Sequence, residues 1–431
     1  MTSYVSDSKN KRIAIAATVI LIIVAVIILI ILKISGFFAG DKLPEPDWSW
    51  PNIESQVLNP ALTVDSEQIE MLEQRLLKLN LTDFGLVQWY QLPLRSEEKA
   101  AERSNTLSAS DQILYGRYLA EQNRMEEFLA WKNVFESVFV DETNIVSEIK
   151  IDGSEIIFSS EEKLWENSLA YTGVLMIAYS KTPSINLWQE IEKWSETLLE
   201  TFAGGELPAD LMVAVPTAAP APDPAATPTP IPVVTPTPEA APVHGLHKLS
   251  SFDLLTIKQL IEVDEGWERI YESWRMTVSG GLISQQMPLY AIGVWPDGDG
   301  YLNFTTDSGA VDCEESMKTA NNLAAAGVID NQALYWINDQ LLNNFALYSN
   351  YNIIQGHAMS DQESIASYAY AALIARTTND STLYNSAVNK LIWHTATSER
   401  SDAYGAIFSE DATGIIRVPT KENLLALIAY D

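Results

Sequence analysis

The chain has 431 residues, with 57 acidic against 27 basic side chains and a formal net charge of −30. That balance excludes a nucleic-acid partner, which needs clustered Lys and Arg to displace counterions, and it disfavours polyanionic substrates. Neutral or cationic sugars remain compatible, and acidity by itself keeps an exported protein soluble. A single cysteine, Cys313, excludes an internal disulfide, so 47% hydrophobic residues, 12 Trp and 17 Tyr must hold the fold through its core.

Residues 1–12 read as a short cytoplasmic tail carrying Lys9, Lys11 and Arg12, and 13–33 as a single transmembrane helix. The positive flank predicts that everything after Ser35 is exported, giving a single-pass protein of the cell membrane with an extracytoplasmic C-terminal domain. A cleavable signal peptide is the competing reading. Against it, the apolar run is long and Phe37-Phe38-Ala39 lacks the small residue that cleavage after Ala39 needs. Residues 34–64 then read as a juxtamembrane segment.

From 65 to 431 the pattern is helical. At 66–80, Ile69, Leu72, Leu76 and Leu79 recur at spacings of three and four on one face. Further helices are predicted at about 108–122, 125–139, 161–180, 184–203, 252–262, 264–279, 309–326, 329–345, 362–377, 380–395 and 420–430, about twelve in all. Ser108 with Asp111, Ser159 with Glu162 and Ser360 with Glu363 have capping-box spacing. Only 145–158 reads as strand, a hairpin turning at Asp152-Gly153. A Pro/Ala/Thr tract at 208–247 cannot pack a core. Paired aromatic-rich helices on both of its sides predict an insertion within one all-α domain, an (α/α)6 toroid with one small β-hairpin. A two-domain all-α protein divided at the tract is the alternative.

Three short motifs bear on chemistry. Ser110-Asp111-Gln-Ile-Leu-Tyr115-Gly116 opens the second predicted helix, and Arg124-Met-Glu-Glu-Phe128 follows it. Glu162-Lys-Leu164-Trp165-Glu166-Asn-Ser-Leu-Ala170 opens the fourth. Met287-Pro-Leu-Tyr290 follows Ile283 and Gln286. In this order they resemble the motifs of glycoside hydrolase family 8, which include endoglucanases and hydrolases that accompany exopolysaccharide synthases. The resemblance spans most of 65–431 and implies a six-hairpin helical toroid that processes a β-linked glycan.

It also implies roles. The family's acid is Glu in Ser-Glu-Gly-Gln-x-Tyr-Gly, and Asp111 stands there; Glu166 falls where the second Asp of Ala-Ser/Thr-Asp-Ala/Gly-Asp would be, the first being Leu164. The family's base precedes Arg-Val-Pro-Leu-Tyr by three residues, and its place is taken by Ile283, with Gln286 at the Arg. Inverting hydrolysis needs an acid and a facing carboxylate roughly 6.5–9.5 Å apart. Asp297 or Asp299 in the Trp295-Pro-Asp-Gly-Asp-Gly300 turn would have to supply the base. Shortening the acid to Asp111 withdraws it by about one bond, and a ~1 Å misplacement can cost ~100-fold in rate.

Each candidate has a plainer reading. Asp111 suits a helix N-terminus electrostatically, Glu166 suits a salt bridge, and Asp297 and Asp299 suit an acidic turn. Asp361 and Glu363 sit where a helix opens toward a cleft or simply caps it. Trp89, Tyr90, Tyr115, Trp165, Tyr290 and Trp295 suit sugar binding or the core. His244, His247, His357 and His394 share no metal-ligand spacing, and there is no nucleotide-binding or serine-hydrolase motif. No metal and no cofactor is predicted. Two functions follow: a membrane-anchored glycosidase acting on a neutral or cationic β-glycan, or an inactive pseudoenzyme that binds carbohydrate in a polysaccharide synthase and export complex.

Overall fold

Helices that are apolar on every side go inside, and two of these show it along their length. Ile365–Thr377 is buried at each position from Ile365 to Arg376, and Trp165–Lys181 is buried continuously from Tyr171 to Tyr179. The computed structural model describes residues 43–51, 54, 60–93, 101–142, 144–203, 211–214, 243–296, 300–303, 309–411 and 414–430. Residues 46–431 form one compact unit.

The described residues hold twelve α-helices: α1 Ser66–Asn80, α2 Ala109–Glu121, α3 Met125–Phe139, α4 Trp165–Lys181, α5 Ile185–Ala203, α6 Leu254–Leu260, α7 Trp267–Gly280, α8 Cys313–Ala325, α9 Asn331–Leu342, α10 Ile365–Thr377, α11 Ser381–Trp393 and α12 Thr420–Tyr430. The even-numbered helices pack in a closed cycle, α2 on α4, α4 on α6, α6 on α8, α8 on α10, α10 on α12 and α12 back on α2. The odd-numbered helices alternate with them along the chain, and α1, α3, α5, α7 and α11 each pack on an inner neighbour. The expectation of a mostly helical ring and the number of helices hold among the described residues; several small sheets join them.

Closure of the ring depends on buried polar bonds. Asn80 ends α1 fully buried, and its Nδ2 donates to Thr420 Oγ1 at 2.7 Å and Val418 O at 3.2 Å, tying α1 to the start of α12. Arg376 donates to Ile428 O at 2.7 Å, satisfying a carbonyl at the far end of α12. Truncating either residue would strand a buried partner.

Two predicted starts differ. α4 begins at Trp165 rather than near 161, because Ser160 Oγ accepts the Glu162 N–H in a turn of its own. α10 is capped by Ser364, which accepts the Ser367 N–H, and not by Ser360. Strand content also exceeds the single hairpin expected. That hairpin pairs Glu148–Asp152 with Glu155–Ser159, with Gly153 at φ +59° in its turn, and continues to Thr106–Ser108. A second sheet joins Ser409–Glu410, Ile416–Pro419, Trp89–Gln91 and Glu102–Arg103. Strands of two to four residues carry no alternation of their own; pairing between distant loops creates them.

Leu211–Ala214 pairs antiparallel with Val243–Leu246, joining the two ends of the proline tract; residues 215–242 lie outside the described residues. So do residues 1–42, which include the predicted membrane span, and among the described residues no helix is long and apolar enough to cross a membrane. Part of the predicted juxtamembrane segment packs on the body: Trp48 stacks on Trp188 at 6.0 Å, and its Nε1–H donates to Gln259 O at 3.0 Å.

Candidate active site

A cavity of about 330 Å³ runs between the inner helices. At one end lie first-turn residues of four of them, Ser110 of α2, Glu166 of α4, Glu314 and Glu315 of α8, and Lys421 of α12, with Ser250 and Ser251 just ahead of α6. Helix N-termini turn free N–H groups and positive dipole ends toward this mouth, an environment that favours carboxylates. Farther along, apolar Ile113, Val174, Ile177, Leu373, Leu425 and Ile428 share the wall with Asp253, Asn321, Asn322 and the Arg117–Glu121 ion pair, closed at 2.7 Å.

At the mouth each wall carboxylate meets a lysine. Lys248 Nζ lies 2.8 Å from Glu315, Lys421 Nζ lies 2.6 Å from Glu314, and Lys318 Nζ lies 3.7 Å from Glu166. Ser251 donates to Glu166 at 2.7 Å, and the Ser250 hydroxyl donates to Glu315. Burial pushes the Glu315 carboxyl up, but Lys248 and Lys318, with the Lys248 and Ser250 hydrogen bonds, outweigh it and hold it at about 2. Burial opposes ionisation of Glu166 as well; Lys318, Lys248 and Ser251 prevail and hold it below the ordinary carboxylate range.

Asp111 behaves in the opposite way. It is buried, 5% exposed, in the first turn of α2, where Ser108 Oγ accepts its backbone N–H at 3.2 Å. Burial is the main cause that raises its carboxyl to about 7; Lys421 draws it down, while Glu422 and Glu314 push it up. Its side chain is one step round α2 from the cavity wall, which Ser110, Ile113 and Leu114 form. In the closed cycle of inner helices α8 stands opposite α2, so the proton-holding carboxyl and the ionised Glu315 belong to facing helices.

Solved structures share this architecture at low sequence identity. A novel alpha-amylase from Clostridium perfringens is 21% identical, with a TM-score of 0.64 over 84% of this chain and 97% of that one. The endo-beta-1,4-glucanase CMCax from Acetobacter xylinum is 10% identical, with a TM-score of 0.53 over 84% and 96%. A cold-adapted family 8 xylanase is 10% identical, with a TM-score of 0.53 over 89% and 93%. The chain has a family 8-like glycosidase fold. No family model and no curated protein matches the sequence.

Within that fold, the residues singled out by sequence separate. Glu166 borders the cavity and Asp111 adjoins it. Tyr115 does not reach it: it is 9% exposed in the core, and the charges that bear on its hydroxyl are those of Glu73, Arg124 and Glu127. Trp165 packs on Phe252 at 4.9 Å and Phe202 at 5.2 Å. Tyr290 is buried with its backbone N–H donating to Ser316 Oγ at 2.8 Å, so the Met287–Tyr290 motif is a structural turn against α8. Trp295 packs beside Leu246 and Ile292. Trp89 lies beneath the Arg417 guanidinium at 4.9 Å, and neither it nor Tyr90 lines the cavity.

Asp361 is exposed, and Glu363 accepts from Tyr368 and meets Lys390 at 3.4 Å and His394 at 3.5 Å away from the cavity. Asp297 and Asp299 lie outside the described residues. His247 is buried edge-on against Trp274 at 5.9 Å, and no acidic or histidine cluster suited to a metal occurs among the described residues. Sequence reasoning missed Glu314, Glu315, Lys248, Lys318 and Lys421. The Asp312-x-x-Glu315 start of α8, where Asp312 Oδ1 accepts the Glu315 N–H at 3.2 Å, is the signal that was present.

Proposed function

We propose that this chain is a membrane-anchored, extracytoplasmic glycan hydrolase in which Asp111 donates the proton to the leaving sugar and Glu315 is the facing carboxylate. One observation carries the reading: Asp111 and Glu315 stand in the first turns of opposed inner helices at one end of the ring, where burial raises the first carboxyl to about 7 and neighbouring lysines lower the second to about 2. Separation of this kind is how one site supplies an acid and an ionised carboxylate at the same pH. The short reach of Asp111 and the weak basicity of a lysine-held Glu315 imply slow turnover.

The motif resemblance supports a β-linked exopolysaccharide as substrate. The similarity to an alpha-amylase, at 21% identity against 10% for the glucanase, supports α-glucans as a second candidate. The test is incubation of the protein spanning Pro46–Asp431 with amylose, β-glucan, xylan and chitosan from acid to neutral pH, followed by chromatography of the products. No product from any polymer sinks the hydrolase reading.

A second reading has its own observation. Because Glu166, Glu314 and Glu315 are each held by a lysine, the site also suits a glycan-binding pseudoenzyme in a polysaccharide synthase complex. Saturable glycan binding with no turnover would select it.

A further inference from the structure

The segment Trp48–Trp50 enters the cavity from the end opposite the mouth. Trp48 meets Trp188 and Tyr179, and Gln259 Nε2 donates to Ser49 O at 2.5 Å. Tyr179 and Gln259 are near the C-terminal ends of α4 and α6, whereas the mouth is built from the N-terminal ends of inner helices. Trp50 follows directly and borders the cavity. It is 8% exposed, and its indole N–H is buried with no hydrogen-bond partner among the described residues.

Exposure changes along the wall in the same sense. Ser110 at the mouth is exposed and the glutamates and lysines there are half-buried; toward Trp50 the apolar Ile177, Leu425 and Ile428 are buried, while the charged Arg117 and Glu121 stay half-buried. A cavity of about 330 Å³ is at the lower end of the ~300–1,000 Å³ of small-molecule sites, suited to a chain end rather than to a polymer crossing an open groove.

We propose that the cavity is a blind pocket for the end of a glycan chain, with Trp50 as the apolar platform for the innermost sugar ring. The proposal rests on the glycan reading above and adds a mode of action, attack from a chain end. An indole offers an apolar face to a pyranose. The N-terminal segment is then part of the binding site.

The test is calorimetric titration of linear malto-, cello- and xylo-oligosaccharides, and of a cyclic glucan that has no chain end, into the protein spanning Pro46–Asp431. Linear sugars are expected to bind and the cyclic one not to. Trp50→Ala weakens binding by about tenfold or more, as loss of a buried aromatic anchor does. Trp50→Phe, which keeps a ring and guards against misfolding, retains most of the affinity. Trp393→Ala, at a site 77% exposed and outside the cavity, leaves it unchanged.

Equal binding by Trp50→Ala and wild type, or equal binding of cyclic and linear glucans, overturns the proposal even if hydrolysis is observed. So do digests that release mid-chain fragments from the outset. Binding that needs Trp50 without any turnover upholds the pocket and removes only the hydrolase reading. Absence of binding by every sugar removes both.

Discussion

Lys318 of α8 reaches Glu166 of α4 at 3.7 Å, spanning two inner helices that both pack on the intervening α6. Neither partner stands alone in its region, since Lys248 and Glu315 complete a four-charge cluster around them. Removal of one charge leaves its partner under the burial that already opposes ionisation. Lys318→Met therefore raises the Glu166 carboxyl and destabilises the fold by about 1–2 kcal/mol at neutral pH, a modest cost because Lys318 is 38% exposed. Adding Glu166→Gln recovers part of the loss, which urea unfolding of the single and double variants measures.

The same cluster sets acid stability. Glu315 is held at about 2, below its unfolded value, so its contribution is present above about pH 4.5 and is lost as pH falls toward 2. Glu166 is lowered and acts in the same direction. Glu315→Gln should flatten the acid limb of a pH–stability curve; an unchanged limb would show that the lysines do not stabilise the ionised carboxylate.

Asp111 carries the opposite sign. With its carboxyl raised to about 7, the folded state is penalised as pH rises from the unfolded value through 7, by up to about 4 kcal/mol when fully ionised. Asp111→Asn should thus raise the melting temperature at pH 8 and leave it nearly unaltered at pH 4. Hydrolytic activity, where present, should fall above about pH 7 in wild type and be lost in Asp111→Asn.

Gly116 separates propensity from packing. Alanine is the better helix former by about 1 kcal/mol, yet a Cβ at this position would lie 2.1 Å from the Trp131 ring, where α3 crosses α2. Gly116→Ala is expected to destabilise by about 1–3 kcal/mol net. Thermal melts check this, and a gain in stability would refute it. The glycine of the Tyr115-Gly116 motif is therefore required for helix contact rather than for sugar chemistry.

Residues 13–33 remain the proposed anchor. Full-length protein should sediment with membranes and resist alkaline extraction, whereas a chain beginning at Pro46 should stay in the supernatant. Full-length protein released by alkali alone would exclude a spanning helix.

The helices were legible because their evidence is local. Four leucine or isoleucine positions at helical spacing mark α1, and α3 occupies the predicted 125–139. Ser108 caps α2 as its spacing to Asp111 predicts. Each of these follows from residues within a few turns of one another, and the chain's own periodicity determines them. The motif resemblance led correctly to the fold, although Tyr115 and Tyr290 proved to be core residues conforming to the same pattern.

The cavity was not legible, because its charges come from separate parts of the chain. Lys248 precedes α6, Glu315 and Lys318 belong to α8, and Lys421 opens α12; spacing along the chain does not relate them. Trp50 lies in a stretch that sequence assigns to the outside of the domain, and only packing against α4, α5 and α6 brings it to the cavity. Sequence thus determined which segments become helices and roughly where they begin. Ring closure alone decided which carboxyls are buried, which meet a lysine and which keep a proton, because desolvation and ion pairing depend on distances that exist only after the helices meet.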